Sequence, residues 1–267
     1  MTLFLSVVGA AAVAAVSWMG EAEPVDGTEE IKALMRAGRS TLDGSEGDGG
    51  RLSARPGRLT EAAAAGLHRL GMDEIRDGLL YVPVGYRPKR PAPLVVVLHG
   101  ARGDAKDGIA LLRGQADDAG LILLAPSSRG RTWDAILGSF GPDVEVIQQS
   151  LAQTFGRCSV DPDRVVVCGF SDGASYALSL GLTNGDLFTR VIAFSPGFMA
   201  PGKRHGRPRI YLSHGTNDSV LPMERCSRVI LPKLRDAGYE VAYREFVGPH
   251  SVPDEIAREA ATWLFTR

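Results

Sequence analysis

The sequence predicts an α/β domain: a mostly parallel sheet with helices on both faces. Three observations carry this. Short apolar runs recur from Leu79 onward, among them LLYVPV (79–84), PLVVVLHG (93–100) and RVVVCG (164–169). Segments of helical length stand between them, and strands that alternate with helices imply βαβ units. Runs such as Leu94–Leu98 are apolar without interruption, which suits strands covered on both faces.

The elements follow in order. Leu79–Val84 and Pro93–Gly100 read as strands, and a helical segment lies around Ile109–Ala119. The strand Leu121–Pro126 comes next, then a helix near Val144–Phe155 and the strand Arg164–Gly169. A helix runs from Ser171 to about Leu182. The strands Arg190–Ser195 and Arg209–Gly215 are followed by a helix over Glu224–Ala237. The strand Glu240–Phe246 and a helix from Pro253 complete the pattern. In sheets of this kind reactive groups gather beyond the C-terminal ends of the strands.

Composition bounds the function. The chain has 267 residues, 44% hydrophobic and 23% charged, which fits an ordinary globular protein with a packed core. A net charge of -1 gives no basic footprint, so nucleic acid is not an expected partner. The three cysteines, Cys158, Cys168 and Cys226, are too few for a disulfide framework and lack metal-ligand spacing. Cys168 reads as a buried thiol, with a Cys158–Cys168 bridge left open.

Three parts are expected. Residues 1–20 are an apolar segment, 21–60 a flexible linker and 61–267 the folded domain. From Thr2 to Met19 there is no charged residue, and Glu21, Glu23, Asp26, Glu29 and Glu30 follow. That length suits a signal or anchor. The charge bias favours export or anchoring, and membrane association is expected only through residues 2–19. An Ala-rich N-terminal helix of a cytoplasmic protein is the alternative. LDGSEGDGGRLSARPGR, within the linker, is dense in Gly, Ser and charge and has no apolar period.

One stretch carries the chemistry. In RVVVCGFSDGASYALSLGL a buried strand meets a helix at Gly169-Phe170-Ser171-Asp172-Gly173, of the form G-x-S-x-G. Glycines on either side let strand and helix approach closely around a strained turn that lifts the Ser171 hydroxyl out beside a helix N-terminus. A bare helix N-cap would explain the serine, but not the strand before it and the paired glycines.

A serine hydroxyl needs a base. For this architecture the order along the chain is Ser, acid, His. His68 and His99 precede Ser171. His205 lies in the basic stretch GKRHGR, and His214 ends a strand, where it suits holding a turn. His250, in FVGPHSVP, lies in the loop after the last strand and is the candidate base. Between Ser171 and His250, only Asp218, in SHGTNDSVLP, follows the C-terminal end of a strand in an open turn. It would orient His250 and stabilise its protonated form. The oxyanion needs two donors: the backbone N–H of Asp172 and one from the loop after VVVLHG, at Ala101 or Arg102.

Together LHGARGD, GFSDGAS, HGTNDSVLP and GPHSVP resemble the four signature loops of the α/β-hydrolase superfamily. Within it they are most similar to the phospholipase/carboxylesterase and dienelactone-hydrolase-like serine esterases. The resemblance covers roughly Leu79 to the C-terminus. It implies an eight-stranded α/β-hydrolase fold and hydrolysis of small-molecule esters or thioesters without metal or organic cofactor. It carries the catalytic roles onto Ser171, Asp218 and His250, and the oxyanion amides onto Ala101 and Asp172. Asp172 departs from the pattern, because relatives often have Gln there. The macrodipole favours a carboxylate at a helix start, facing outward.

The loop Ser127–Asp143 is expected to line the cleft, with Trp133 as an apolar wall and Asp134 available to a polar group. The connection Pro196–Pro208 contains three prolines and no helical period, so no large cap domain is expected. The cleft should then be open, suit short to medium acyl chains, and be bounded by Trp133 and Phe198. A thioesterase or peptidase would use the same triad. A non-catalytic binding protein on this fold would be expected to lack a triad member.

Overall fold

The computed structural model describes residues 49–266. Among these, eight strands form one sheet: β1 (Gly66–Arg69), β2 (Leu79–Val82), β3 (Ala92–Leu98), β4 (Ile122–Ala125), β5 (Val160–Phe170), β6 (Arg190–Phe194), β7 (Arg209–Gly215) and β8 (Val241–Phe246). Their spatial order is β1-β2-β4-β3-β5-β6-β7-β8. β1 and β2 pair antiparallel, as do β2 and β4, and the remaining neighbours are parallel. This is the α/β-hydrolase arrangement, with no helix between β6 and β7 from which a cap could be built.

The unbroken apolar runs explain the layering. Leu94, Val96 and Leu98 of β3 face one cluster, and Val95 and Val97 face the other, all fully buried. Helices α3 (Pro142–Arg157), α4 (Asp172–Thr183) and α5 (Ser227–Asp236) cover the first face. Helices α1 (Ala105–Ala110), α2 (Arg113–Ala119) and α6 (Asp254–Trp263) cover the second.

The differences from the sequence reading have local causes. The helix read over 109–119 is two helices that begin earlier, because Asp104 caps α1. Its carboxylate accepts from the Lys106 and Asp107 amides while Asp107 accepts from the Asp104 amide. Met223–Arg225 is a 3-10 turn, and α5 starts only at Ser227. Strand β1 is four residues on the edge of the sheet and has no apolar run to announce it.

The end of the segment read as a linker packs on the domain. Leu52 is 2% exposed, and its amide donates to Asn184 Oδ1 at 2.8 Å. Asn184 Nδ2 donates to Gly50 O at 2.7 Å. Arg51 and Arg55 pair with Asp186 at 2.8 and 2.6 Å. These two guanidiniums, Arg51 first, hold the Asp186 carboxyl well below the usual carboxylate range. Glycine-rich composition hides these contacts, since one leucine and two arginines make most of them.

The Cys158–Cys168 bridge is not formed: all three cysteines are free and buried. Burial pushes the Cys158 thiol up to about 11 and the Cys226 thiol up to about 12, so neither supplies a thiolate at neutral pH. The apolar segment 1–20 and residues 21–48 of the linker lie outside the described residues. No helix among the described residues is long and apolar enough to cross a membrane.

Candidate active site

Ser171 stands alone between β5 and α4, with φ 57° and ψ -121°. A positive φ is strained for serine. The neighbouring glycines make it possible. A Cβ on Gly169 would lie 2.1 Å from Gly173 O, and one on Gly173 would lie 2.2 Å from Leu98 O. The Ser171 amide donates to Phe194 O at 2.9 Å, which ties the turn to the end of β6.

Two further strand ends complete the group. Asp218 follows β7, and its Oδ1 accepts from the Val220 and Leu221 amides at 2.9 and 2.8 Å. His250 follows β8 and donates from Nδ1 to Asp218 Oδ2 at 2.6 Å. This fixes the tautomer, so Nε2 accepts from Ser171 Oγ at 2.9 Å. The Phe170 ring lies 4.6 Å from the His250 ring, centroid to centroid, and supports one side of it. Asp218 is 6% exposed and Ser171 9%. A hydroxyl, an imidazole and a buried carboxylate in this chain can move one proton reversibly at the hydroxyl.

His214 joins the same group. Its Nε2 donates to Leu221 O at 2.8 Å and also lies 3.2 Å from Asp218 Oδ2. Its expected role in the turn is therefore accompanied by a contact to the carboxylate. Burial lowers its proton affinity, which keeps the ring neutral.

The loop after β3 crosses the Ser171 turn. A Cβ on Gly100 would lie 3.5 Å from Ser171 Cβ. Of the Ala101 and Arg102 amides, that of Arg102 donates to Arg131 O at 2.6 Å. Among the described residues the Ala101 N–H has no acceptor. Asp172 opens α4, and its Oδ2 accepts from Thr132 Oγ1 at 2.7 Å. The carboxylate is thus held on the 127–143 loop.

His99, set aside above because it precedes Ser171, braces this loop. Its Nδ1 donates to Gly100 O at 2.7 Å, and its Nε2 accepts from the Ser128 amide at 3.1 Å. Burial lowers its proton affinity as well. Arg76 adds donations to Ser128 O and Gly103 O at 2.6 and 2.8 Å.

Trp133 does not line a cleft. It is fully buried, packs against His99 and Tyr176, and donates from Nε1 to His99 O at 2.9 Å. The apolar character read as a substrate wall serves the core behind the loop. Asp134 is committed too: it accepts from the Asp143 amide at 2.7 Å and from Tyr176 OH at 3.1 Å. Phe198 is half-buried and packs at the edge of the core.

The phospholipase/carboxylesterase family matches residues 135–265. Feruloyl esterase C of Emericella nidulans is 28% identical over 165 residues, 58% of this chain and 60% of that protein. Acyl-protein thioesterase 1 of Gibberella zeae is 26% identical over 106 residues, 36% of this chain and 45% of that protein. The chain thus spans between about half and three fifths of the length of these curated relatives. The crystal structure of esterase PE8 is 26% identical, covers 69% of this chain and 95% of its own, and superposes with a TM-score of 0.58. With the eight-stranded sheet and the strained serine turn, these likenesses support an α/β-hydrolase serine esterase group.

Proposed function

We propose that the protein hydrolyses carboxylic esters of short to medium acyl chains, with Ser171 as nucleophile, His250 as base and Asp218 as its orienting acid. One observation carries this reading: the continuous line from Ser171 Oγ through His250 to Asp218, with contacts of 2.9 and 2.6 Å. Ser171 Oγ attacks the ester carbonyl carbon as its proton passes to His250 Nε2. The amides of Asp172 and Ala101 stabilise the resulting oxyanion. The carbon–alkoxy bond breaks, the alcohol leaves with the proton from His250, and an acyl-enzyme remains. Water then attacks this acyl group, gives its proton to His250, and the acid departs as the serine is regenerated.

The acyl-length part of the proposal is supported by the connection between β6 and β7, which has no helix to close over a long chain. The test is a series of p-nitrophenyl esters from acetate to palmitate, run with wild type and Ser171→Ala. The expected profile peaks at short to medium chains, shows no jump at the solubility limit, and vanishes in the variant. A kcat/KM that climbs steadily to palmitate contradicts the open cleft. Turnover retained by Ser171→Ala contradicts the nucleophile. A thioester reading is favoured by the thioesterase relative, and thioesters of matched acyl length in the same series separate the two.

A further inference from the structure

Helix α4 carries three buried hydroxyls at intervals of four residues: Ser175, Ser179 and Thr183. Each donates to the carbonyl four residues earlier, at 3.3, 2.7 and 2.7 Å. For Ser175 that carbonyl belongs to Ser171, the nucleophile residue. Each hydroxyl also accepts from the chain that leaves β6. Gly197 N–H donates to Ser175 Oγ at 2.9 Å, Ala200 N–H to Ser179 Oγ at 2.9 Å, and Gly202 N–H to Thr183 Oγ1 at 3.0 Å.

The two spacings match. Four residues of helix advance about 6.0 Å, and two residues of extended chain advance about 6.6 Å. Residues 200 and 202 therefore meet positions 179 and 183 in this register, while at Ser175 Oγ the Gly197 N–H donates at 2.9 Å and the Phe198 N–H at 3.4 Å. Pro196 and Pro201 offer no competing N–H at the flanking positions. The result is a strap fastened along the nucleophile helix. Its start lies beside both Leu221, in the turn that carries Asp218, and Ser175: a Cβ on Gly197 would lie in ordinary contact, 3.4 Å from Leu221 and 3.7 Å from Ser175 Oγ. Phe198 is the first large side chain after Gly197.

We propose that Ser175 is a positioning residue for acyl specificity: its hydroxyl fixes the start of the strap against the nucleophile turn and so sets Phe198 as the wall that limits acyl length. This rests on the esterase reading above. Loss of the hydroxyl frees the strap at its first fastening and lets Phe198 retreat. Thr183 fastens the far end, away from Ser171, and serves as the comparison.

The experiment measures kcat/KM for p-nitrophenyl acetate and octanoate in wild type, Ser175→Ala, Phe198→Ala, Thr183→Val and the Ser175→Ala/Phe198→Ala double variant. Melting temperature and fluorophosphonate labelling of Ser171 are read on the same preparations. In Ser175→Ala the octanoate-to-acetate ratio should rise by about five-fold or more, through a lower KM for octanoate. Phe198→Ala should shift the ratio in the same direction, and the double variant should shift it no further than Phe198→Ala alone. Thr183→Val should lower the melting temperature and leave the ratio unchanged. An unchanged ratio in Ser175→Ala, or shifts that multiply in the double variant, overturns the proposal. Should Ser175→Ala not fold, an unchanged ratio in Phe198→Ala overturns it instead. Absence of labelling in wild type sinks the esterase reading itself, a result distinct from labelling with an unaltered acyl profile.

Discussion

His214 Nε2 lies 3.2 Å from Asp218 Oδ2, the oxygen that also accepts from His250 at 2.6 Å. With the Val220 and Leu221 amides on Oδ1, four donors surround this buried carboxylate. A carboxylate so held cannot rotate away from His250. Replacing His214 with Phe keeps much of the ring's bulk and removes the donor, leaving Leu221 O unpaired. The expected outcome is a fall in kcat of about ten-fold, with KM for a short ester little changed. Steady-state kinetics on p-nitrophenyl acetate check this; a kcat equal to wild type would show that the contact does not hold the acid.

Stability should depend on pH through two buried imidazoles. Burial lowers the proton affinity of both His99 and His214 in the folded protein. The unfolded chain then binds more protons below the ordinary histidine value of about 6.5. Their contribution is fully present above that pH and is lost as pH falls through their lower folded values. Melting temperature should be level between about pH 7 and 8 and decline from about pH 6.5 downward, before carboxylates titrate. A level melting temperature down to about pH 5 would contradict the neutral state assigned to these rings.

The strained turn at Ser171 leaves no room at Gly173. An alanine Cβ there would lie 2.2 Å from Leu98 O and 2.4 Å from His99 O, both backbone atoms of the β3 end. Gly173→Ala should cost about 3 kcal/mol or prevent folding. Urea unfolding monitored by circular dichroism reads this directly. A midpoint equal to wild type would show that the turn is looser than described.

Asp186 fastens the chain before β1 through Arg51 and Arg55. Its folded value is depressed, so this stabilisation is present above the usual carboxylate range and is lost as pH falls below it. The pair is partly exposed and solvent screens it, so Asp186→Asn should cost no more than about 1 kcal/mol. The sharper readout is limited proteolysis, where cleavage near residues 51–58 should appear in the variant first. Equal cleavage rates would show that Leu52 and Asn184 hold the segment unaided.

The strands and the three residues brought together at their ends were legible because both signals are local. An apolar run such as Leu94–Leu98 marks a strand buried on both faces, and strand ends mark where Ser171, Asp218 and His250 can meet. What side chains touch was less legible. Trp133 looked like a cleft wall because a loop tryptophan has no visible partner in one dimension; its partners, His99 and Tyr176, lie 34 and 43 residues away in the chain. His214 was read as a turn-holder, and its contact to Asp218 follows only from how the 215–221 turn folds back. The spacing of Ser175, Ser179 and Thr183 was visible, but hydroxyls four apart gain meaning only once an extended chain lies beside them.

The account rests on Ser171 as a nucleophile activated through His250. The most direct measurement is labelling by a fluorophosphonate probe followed by mass spectrometry of the peptide that carries residue 171. A single adduct on Ser171 is expected in wild type, none in Ser171→Ala, and a labelling rate lower by about a thousand-fold in His250→Ala. No adduct on folded wild-type protein, or an adduct at another serine, would contradict it.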